Sequence, residues 1–262
     1  MTWVTALAVV LLAPAAASKP VSCPQDCWHP TPTTQPWQWQ LTGKVDLAVT
    51  APVYDVDGFD NGAGLVDRIH AKPARAVCYL SVGTYERWRP DAQRFPKRLL
   101  GRPLDPPFQD ERWLDIRRLH ALKPIMKSRL GMCARKGFDA VEPDNVDGYQ
   151  NHTGFPLSQR DQLRYNRSVA NAAHRHGLAV GLKNDLGQVR QLLSYFNFAV
   201  NEQCFQYHEC SKLDRFIVAG KPVFGAEYRL PRSRFCAQSV EHGFSTIRKR
   251  LALGAWRQSC GP

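Results

Sequence analysis

Acidic, amide and lysine side chains recur where short β-type runs of this sequence end. Asp55 and Asp57 close the run 53–57, and Tyr79 and Ser81 fall near the end of 75–83. Glu142, Asp144 and Asn145 end 139–145, with Asp147 just beyond. Lys183, Asn184 and Asp185 follow the run 178–184, Asn201, Glu202 and Gln203 follow 198–202, and Glu227 and Tyr228 follow 222–227. Two carboxylates facing one cleft suit cleavage of a glycosidic bond. One, protonated, helps the leaving oxygen depart; the other, ionised, attacks the sugar or activates water. Crowding pushes the two pKa values apart and yields both states near neutral pH. Because side chains alternate along a strand, Ala140, Glu142 and Asp144 share a face while Val141 packs the other way, and Asp55 and Asp57 pair likewise.

Simpler roles compete at each position. An Asp at a strand end is as often a helix cap or loop organiser, a reading that applies to Asp55 and Asp147. Glu142, deeper than Asp144, also reads as a buried strut for Lys183. The Asp and Asn clusters lack the spacing of a calcium loop, so no metal is expected. A strand followed by G-x-G-x-x-G is absent, so no nucleotide or other cofactor is expected. Without a G-x-S-x-G elbow, a serine-hydrolase mechanism has little support.

The elements that must position these residues alternate. Nine β-type runs, at 37–41, 53–57, 75–83, 113–116, 139–145, 178–184, 198–202, 222–227 and 244–247, are separated by helical stretches. Leu119, Leu122, Ile125, Met126, Leu130 and Cys133 mark one helical face that Gly137 closes, and Ser158 with Asp161 forms a capping box before a helix that ends at Gly177. Strand–helix alternation gives a parallel sheet. At 262 residues the chain suits a single-domain α/β fold of the (β/α)8, TIM-type barrel class, with chemistry at the C-terminal strand ends. Nine runs exceed its eight staves by one, so the first or the last is expected to lie outside the barrel. An open doubly wound sheet is the alternative.

Residues 1–18 read as a secretory signal peptide, residues 19–36 as an irregular arm and residues 37–262 as the barrel, so the chain is expected to be secreted. No other stretch is long and apolar enough to span a bilayer, and no membrane partner is expected. Eight cysteines in an exported chain suggest a disulfide-stapled fold. Three local pairs, Cys23–Cys27, Cys204–Cys210 and Cys236–Cys260, leave Cys78 for Cys133, one pairing among many that eight cysteines allow. Asn151-His152-Thr153 and Asn166-Arg167-Ser168 match the glycosylation acceptor pattern.

The motifs W-Q-W-Q-L at 37–41, Y-D-V-D at 54–57, C-Y-L-S-V-G at 78–83, G-F-D-A-V-E-P-D-N-V-D-G-Y at 137–149, G-L-K-N at 181–184 and N-E-Q-C at 201–204 occur in this order. Together they resemble glycoside hydrolase family 114, the endo-α-1,4-polygalactosaminidases, over nearly all of the chain from Trp37 to about Leu253. The resemblance implies a (β/α)8-type barrel that cleaves α-1,4-linked galactosamine polymers internally. It places the catalytic acids on Asp144 and Glu202, with Glu142 and Asp147 as substitutes, and supports Asp55 and Tyr79 as substrate contacts. Asn145, Lys183, Asn184, Asn201 and Glu227, at neighbouring strand ends, join Glu142 and Asp147 as expected substrate-binding residues. A polysaccharide is then the partner, and the chain is expected to act as a monomer. A catalytically inactive carbohydrate-binding barrel is the alternative from another class.

Lys and Arg exceed Asp and Glu by 35 to 23, a net charge of +12. Such an excess raises nucleic acid or another polyanion as partner. The basic residues, however, are spread over the expected helices, where a charged face is ordinarily a solvated one, so no nucleic acid is expected. Asp55, Asp57, Asp60, Glu142, Asp144, Asp147, Glu202 and Glu227 all lie at expected strand ends or just beyond. A negative mouth on a positive body is therefore expected.

Overall fold

The computed structural model describes residues 18–261, so the expected signal peptide lies almost wholly outside the described residues. Eight parallel staves run in chain order around the sheet: β1 (Gln38–Gln40), β2 (Val53–Asp57), β3 (Arg75–Ser81), β4 (Ala140–Asp144), β5 (Ala179–Lys183), β6 (Phe198–Glu202), β7 (Val223–Glu227) and β8 (Ser245–Arg248). Each pairs in parallel with the next. Among the described residues six α-helices accompany them: α1 (Ala63–His70), α2 (Leu119–Arg135), α3 (Gln159–Arg175), α4 (Val189–Leu192), α5 (Asp214–Val218) and α6 (Cys236–Glu241). The fold is a TIM-type barrel.

The staves are buried on both faces, and the two faces feed two apolar layers. Alternate residues such as Val53, Val77, Ala140, Phe198 and Phe224 fill the barrel interior beneath Trp37 and Trp39. The intervening ones, among them Val56, Leu80, Val141 and Leu182, pack outward on the helices. Gly181 makes room inside, since a Cβ there would stand 2.3 Å from the Phe198 ring. The capping box of α3 forms in full, with Ser158 and Asp161 each accepting from the other's backbone N–H. Gly137 and Gly177 turn the chain out of α2 and α3 at φ +85° and +74°, a region open mainly to glycine.

One expectation is corrected. The run outside the barrel is neither the first nor the last but 113–116. It belongs to a three-stranded antiparallel sheet of Thr84–Glu86, Leu100–Pro103 and Glu111–Leu114, inserted between β3 and α2. The physical difference is pairing: 113–116 is as buried as a stave, but its backbone pairs antiparallel with the two neighbouring strands of the insertion instead of in parallel with the barrel.

The sheet closes indirectly. Among the described residues β8 and β1 do not pair; the chain 249–260 bridges them. Gln258–Ser259 pairs antiparallel with β8. On the other side Leu253 O accepts from Leu41 and Thr42 N–H, Ala255 O accepts from Gln38 Nε2, and Arg257 donates to Trp37 O and Thr50 O. Four disulfides, Cys23–Cys27, Cys78–Cys133, Cys204–Cys210 and Cys236–Cys260, match the expected pairing. The last ties the bridging segment to α6. Residues 19–37 carry no regular element. Lys19 and Val21 in this stretch hydrogen-bond to Asn171 and His174 of α3.

Candidate active site

Register brings the chemistry together. Tyr79 lies beside Glu142 and Ser81 beside Asp144 across β3 and β4, while β5 stands between β4 and β6. Lys183, at the end of β5, therefore rises between the carboxylates of its two neighbours. Its Nζ lies 3.0 Å from Asp144 Oδ1, 3.1 Å from Glu142 Oε1 and 3.2 Å from Glu202 Oε2. The Trp39 ring lies 4.7 Å from it. Burial works against the ammonium, but the charges of Asp144, Glu142 and Glu202 outweigh it and hold the Lys183 pKa well above the ordinary value. The point on which three carboxylates converge is thus filled by the protein's own cation.

Each mouth carboxylate also carries neutral donors. Asp144 Oδ2 accepts from Tyr79 OH at 2.9 Å and from Asn145 Nδ2 at 3.4 Å. Glu202 Oε2 accepts from Asn184 Nδ2 at 3.1 Å, and Oε1 accepts from Tyr228 OH. Asn184 Oδ1 in turn accepts from the Glu202 backbone N–H at 2.9 Å and from Asn201 Nδ2 at 3.2 Å, so one amide grips Glu202 by both main chain and side chain. Burial, then the adjacent carboxylate, raises both tyrosine pKa values and keeps the phenols protonated.

The backbone just past each of these residues is unusual. Asn145, Asn184 and Gln203 have φ of 61°, 49° and 64°, and Asp185 follows at 48°. Non-glycine residues pay for this conformation, and such outliers concentrate at functional sites. Gly83 lets the chain fold tightly over this region, since a Cβ there would fall 1.6 Å from the Asn145 carbonyl oxygen.

A cavity of about 630 Å³ opens above the pair. Asp57, Asp60, Glu86, Asp110, Glu111, Asp144, Asp147 and Glu202 line it, against only Arg89 and Lys183. Arg89 is already held by two bonds to Asp57, at 3.0 and 2.6 Å, and by one to Glu86 at 2.9 Å. The mouth is therefore strongly negative on a chain of net charge +12. Burial, then the Asp144 charge, pushes Asp147 up to about 6. Glu111 is pushed up to about 7, by burial first.

Of the residues singled out in the sequence, Asp144, Glu202, Tyr79, Asn145, Asp147, Lys183 and Asn184 line this cavity. Asp55, Glu142, Asn201 and Glu227 do not: all four are buried below it. Glu227 accepts from Phe205 N–H at 2.9 Å and so holds the loop after β6, and burial pushes it up to about 7. Asn201 supports Asn184 and accepts from Cys204 N–H. Trp39, Tyr228, Trp88, Phe108 and Glu111 also line it. The alternation in W-Q-W-Q-L marks Trp39 as inward. Glu111, Trp88 and Phe108 come from the inserted segment, whose place over the mouth no local pattern reveals.

The profile of glycoside-hydrolase family GH114 matches residues 17–262. The chain is similar to Aspergillus fumigatus Ega3, whose crystal structure is a complex with galactosamine: 36% identity, TM-score 0.83, covering 89% of this chain and 97% of that one. The glycoside hydrolase domain of PelA from Pseudomonas aeruginosa shares the fold at 15% identity and TM-score 0.68, covering 86% of this chain and 98% of that one. No curated protein sequence matches.

Proposed function

Because the chain belongs to glycoside-hydrolase family GH114 and is a glycosidase of the endo-α-1,4-polygalactosaminidase type, we propose that Asp144 and Glu202 are the carboxylates with which it cleaves α-1,4-linked galactosamine polymers internally. The observation that carries this reading is the convergence of both on Lys183 Nζ at the floor of an acidic cavity. A polymer with free amines is cationic, and a negative mouth draws it in against the positive body.

Asp144 acts as nucleophile and Glu202 as general acid. Asp144 lies slightly nearer the ammonium, 3.0 Å against 3.2 Å, which suits the carboxylate that attacks as an anion. Glu202 reaches further into the mouth. The phenol of Tyr228 can donate to it when ionised or accept from it when protonated, so both states of an acid and base catalyst are accommodated. The nearest oxygens of the pair are no further apart than the 3.0 Å and 3.2 Å legs at Lys183 laid end to end. That bound on the nearest oxygens accommodates the separation of about 5–5.5 Å between the carboxyls of retaining enzymes, the mechanism we adopt. Attack by Asp144 then gives a covalent glycosyl ester while Glu202 protonates the departing oxygen. Glu202 next takes a proton from the water that releases the sugar.

The four disulfides suit an oxidising compartment, and we read the enzyme as exported. Reducing-end release from a purified galactosamine polymer tests the assignment. Asp144→Asn and Glu202→Gln should each lose about 10²–10⁴-fold or more. Glu202→Gln alone should recover kcat/KM, though not kcat, on an aryl galactosaminide whose leaving group departs without a proton, because the release step still lacks its base. Near wild-type turnover in either variant on the polymer overturns the assignment.

A further inference from the structure

Two carboxyls beneath the cavity have no part in the chemistry above. Asp55, on β2, is 1% exposed, and Glu142, on β4, is fully buried. Both face the barrel interior, one layer below Asp144. Among the described residues no N–H or O–H donor reaches either Asp55 oxygen. The Glu142 carboxyl is the acidic group that bears most on it, and the Glu142 oxygens also lack a hydrogen-bond partner among the described residues. Glu142 in turn lies 3.1 Å from Lys183 Nζ. Two such carboxyls share one proton, because two buried carboxylates repel and the single Lys183 ammonium, already divided among Glu142, Asp144 and Glu202, does not offset the loss of water by both.

Resting on the reading of Asp144 and Glu202 as the working pair, we infer that Asp55 is a positioning residue: as a neutral carboxylic acid it donates to Glu142, fixes that carboxylate against Lys183, and so holds the ammonium between Asp144 and Glu202. The chain of contacts runs from Asp55 to Glu142, from Glu142 to Lys183, and from Lys183 to both mouth carboxylates. The charged groups around it are Glu142 and Asp144 on β4, Lys183 on β5 and Glu202 on β6, with the phenols of Tyr79 and Tyr228 above. Asp55 carries the proton of the pair. Burial, then the Glu142 charge, raises Asp55 well above the usual carboxylate range; burial raises Glu142 as well, but there the Lys183 ammonium works against it, so the proton belongs on Asp55. One proton on Asp55 leaves Glu142 ionised next to Lys183. Without it, Glu142 would have to take up the proton itself or turn from the ammonium, and Lys183 would be free to shift towards one catalytic carboxylate.

The expectation of Asp55 as a substrate contact makes an opposite forecast, so the two readings separate. If Asp55 positions, Asp55→Val lowers kcat at least tenfold with KM moving less than twofold, and Asp55→Asn, which keeps a neutral donor, restores most of the loss. If Asp55 binds substrate, KM rises and kcat holds. Equal loss in the Val and Asn variants also overturns the proposal, because it means an ionisable Asp55 is required. A readout independent of turnover covers variants that fold poorly or a polymer that proves to be the wrong substrate. Infrared difference spectra of wild type minus Asp55→Asn at neutral pH should show the carbonyl stretch of a protonated carboxylic acid. Absence of that band overturns the proposal even where hydrolysis is confirmed, and its presence upholds the proton on Asp55 even where hydrolysis of this polymer is not found.

Discussion

The ammonium nitrogen of Lys183 stands 3.0 Å from Oδ1 of Asp144, with the Trp39 ring 4.7 Å from the same nitrogen. Replacing Lys183 with Met strips Glu142, Asp144 and Glu202 of their shared cation. Turnover should fall about 10²–10³-fold, the loss that follows removal of one preorganised charge-stabilising group. The carboxylate that must be ionised also becomes harder to ionise, so the acid limb of the kcat/KM profile moves to higher pH. Lys183→Arg should not rescue, because a planar fork cannot centre on one point among three carboxylates. An unmoved acid limb in Lys183→Met contradicts the arrangement.

Cavity charge should set substrate affinity through neutral pH. Asp147 and Glu111 are neutral below their pKa values, about 6 and about 7, and negative above them. For a substrate with free amines, KM should fall as pH rises through both values. Asp147→Asn should flatten the lower part of that curve. Initial rates at constant ionic strength, taken across this range, measure it.

Stability should run the other way. Glu227 is pushed up to about 7 and Asp185 to about 8, both by burial first, while unfolded carboxyls titrate near pH 4. Between these limits the folded chain binds more protons than the unfolded one. The contribution of both groups is therefore fully present below the unfolded pKa and is lost as pH rises through about 7 and about 8. Tm should drop across that interval, and Glu227→Gln, which keeps the acceptor for Phe205 N–H, should remove part of the drop. A Tm that climbs with pH there refutes the assignment.

Cys78 on β3 and Cys133 near the end of α2 close a loop with a sequence separation of 55. Chain-entropy arguments put the worth of such a link at about 4 kcal/mol. The double Ala variant should lose stability on that scale in urea unfolding, with activity intact once folded. A loss below about 1 kcal/mol would mean that the unfolded chain is already constrained.

The two glycosylation patterns should part company in a glycosylating host. Asn151 is exposed at the cavity rim. Asn166 is fully buried and donates to Val146 O and Asp185 Oδ2, both at 2.9 Å. Folded, secreted protein should carry one N-glycan, at Asn151, and Asn151→Gln should abolish it. A glycan mapped to Asn166 in active protein is the contrary result.

Alternation and strand ends made much of this site legible. They put Asp144, Lys183 and Glu202 on neighbouring staves and pointed Glu142 inward with Asp144. What they do not encode is depth. Asp55 lies two residues short of Asp57, and Glu142 two short of Asp144, which sinks each by about 6–7 Å along its stave. That distance separates a group that meets substrate from one that cannot. The negative mouth shows the same limit. Asp57, Asp60, Asp144, Asp147 and Glu202 line the cavity, whereas Asp55, Glu142 and Glu227 lie beneath it, and Glu86, Asp110 and Glu111 from the inserted segment make up the number. Insertions take their place from tertiary packing, so Glu111 and Trp88 could not be placed from local pattern. For the same reason the run 113–116, apolar and buried like a stave, differs from one only in its antiparallel partners, which local pattern does not encode.

The bridge formed by residues 249–260 has a consequence for how the molecule is made. A ribosome finishes all eight staves before it reaches the segment that joins the last to the first. Until then the nascent sheet has two unpaired edges, the geometry most prone to wrong partners. Cys260 is the latest cysteine to emerge, and its bond to Cys236 acts as a latch thrown after the ring has formed. Conditions that keep thiols reduced during synthesis should therefore yield a chain whose staves are complete but whose ring springs open, with aggregation through β1 and β8 as the visible failure.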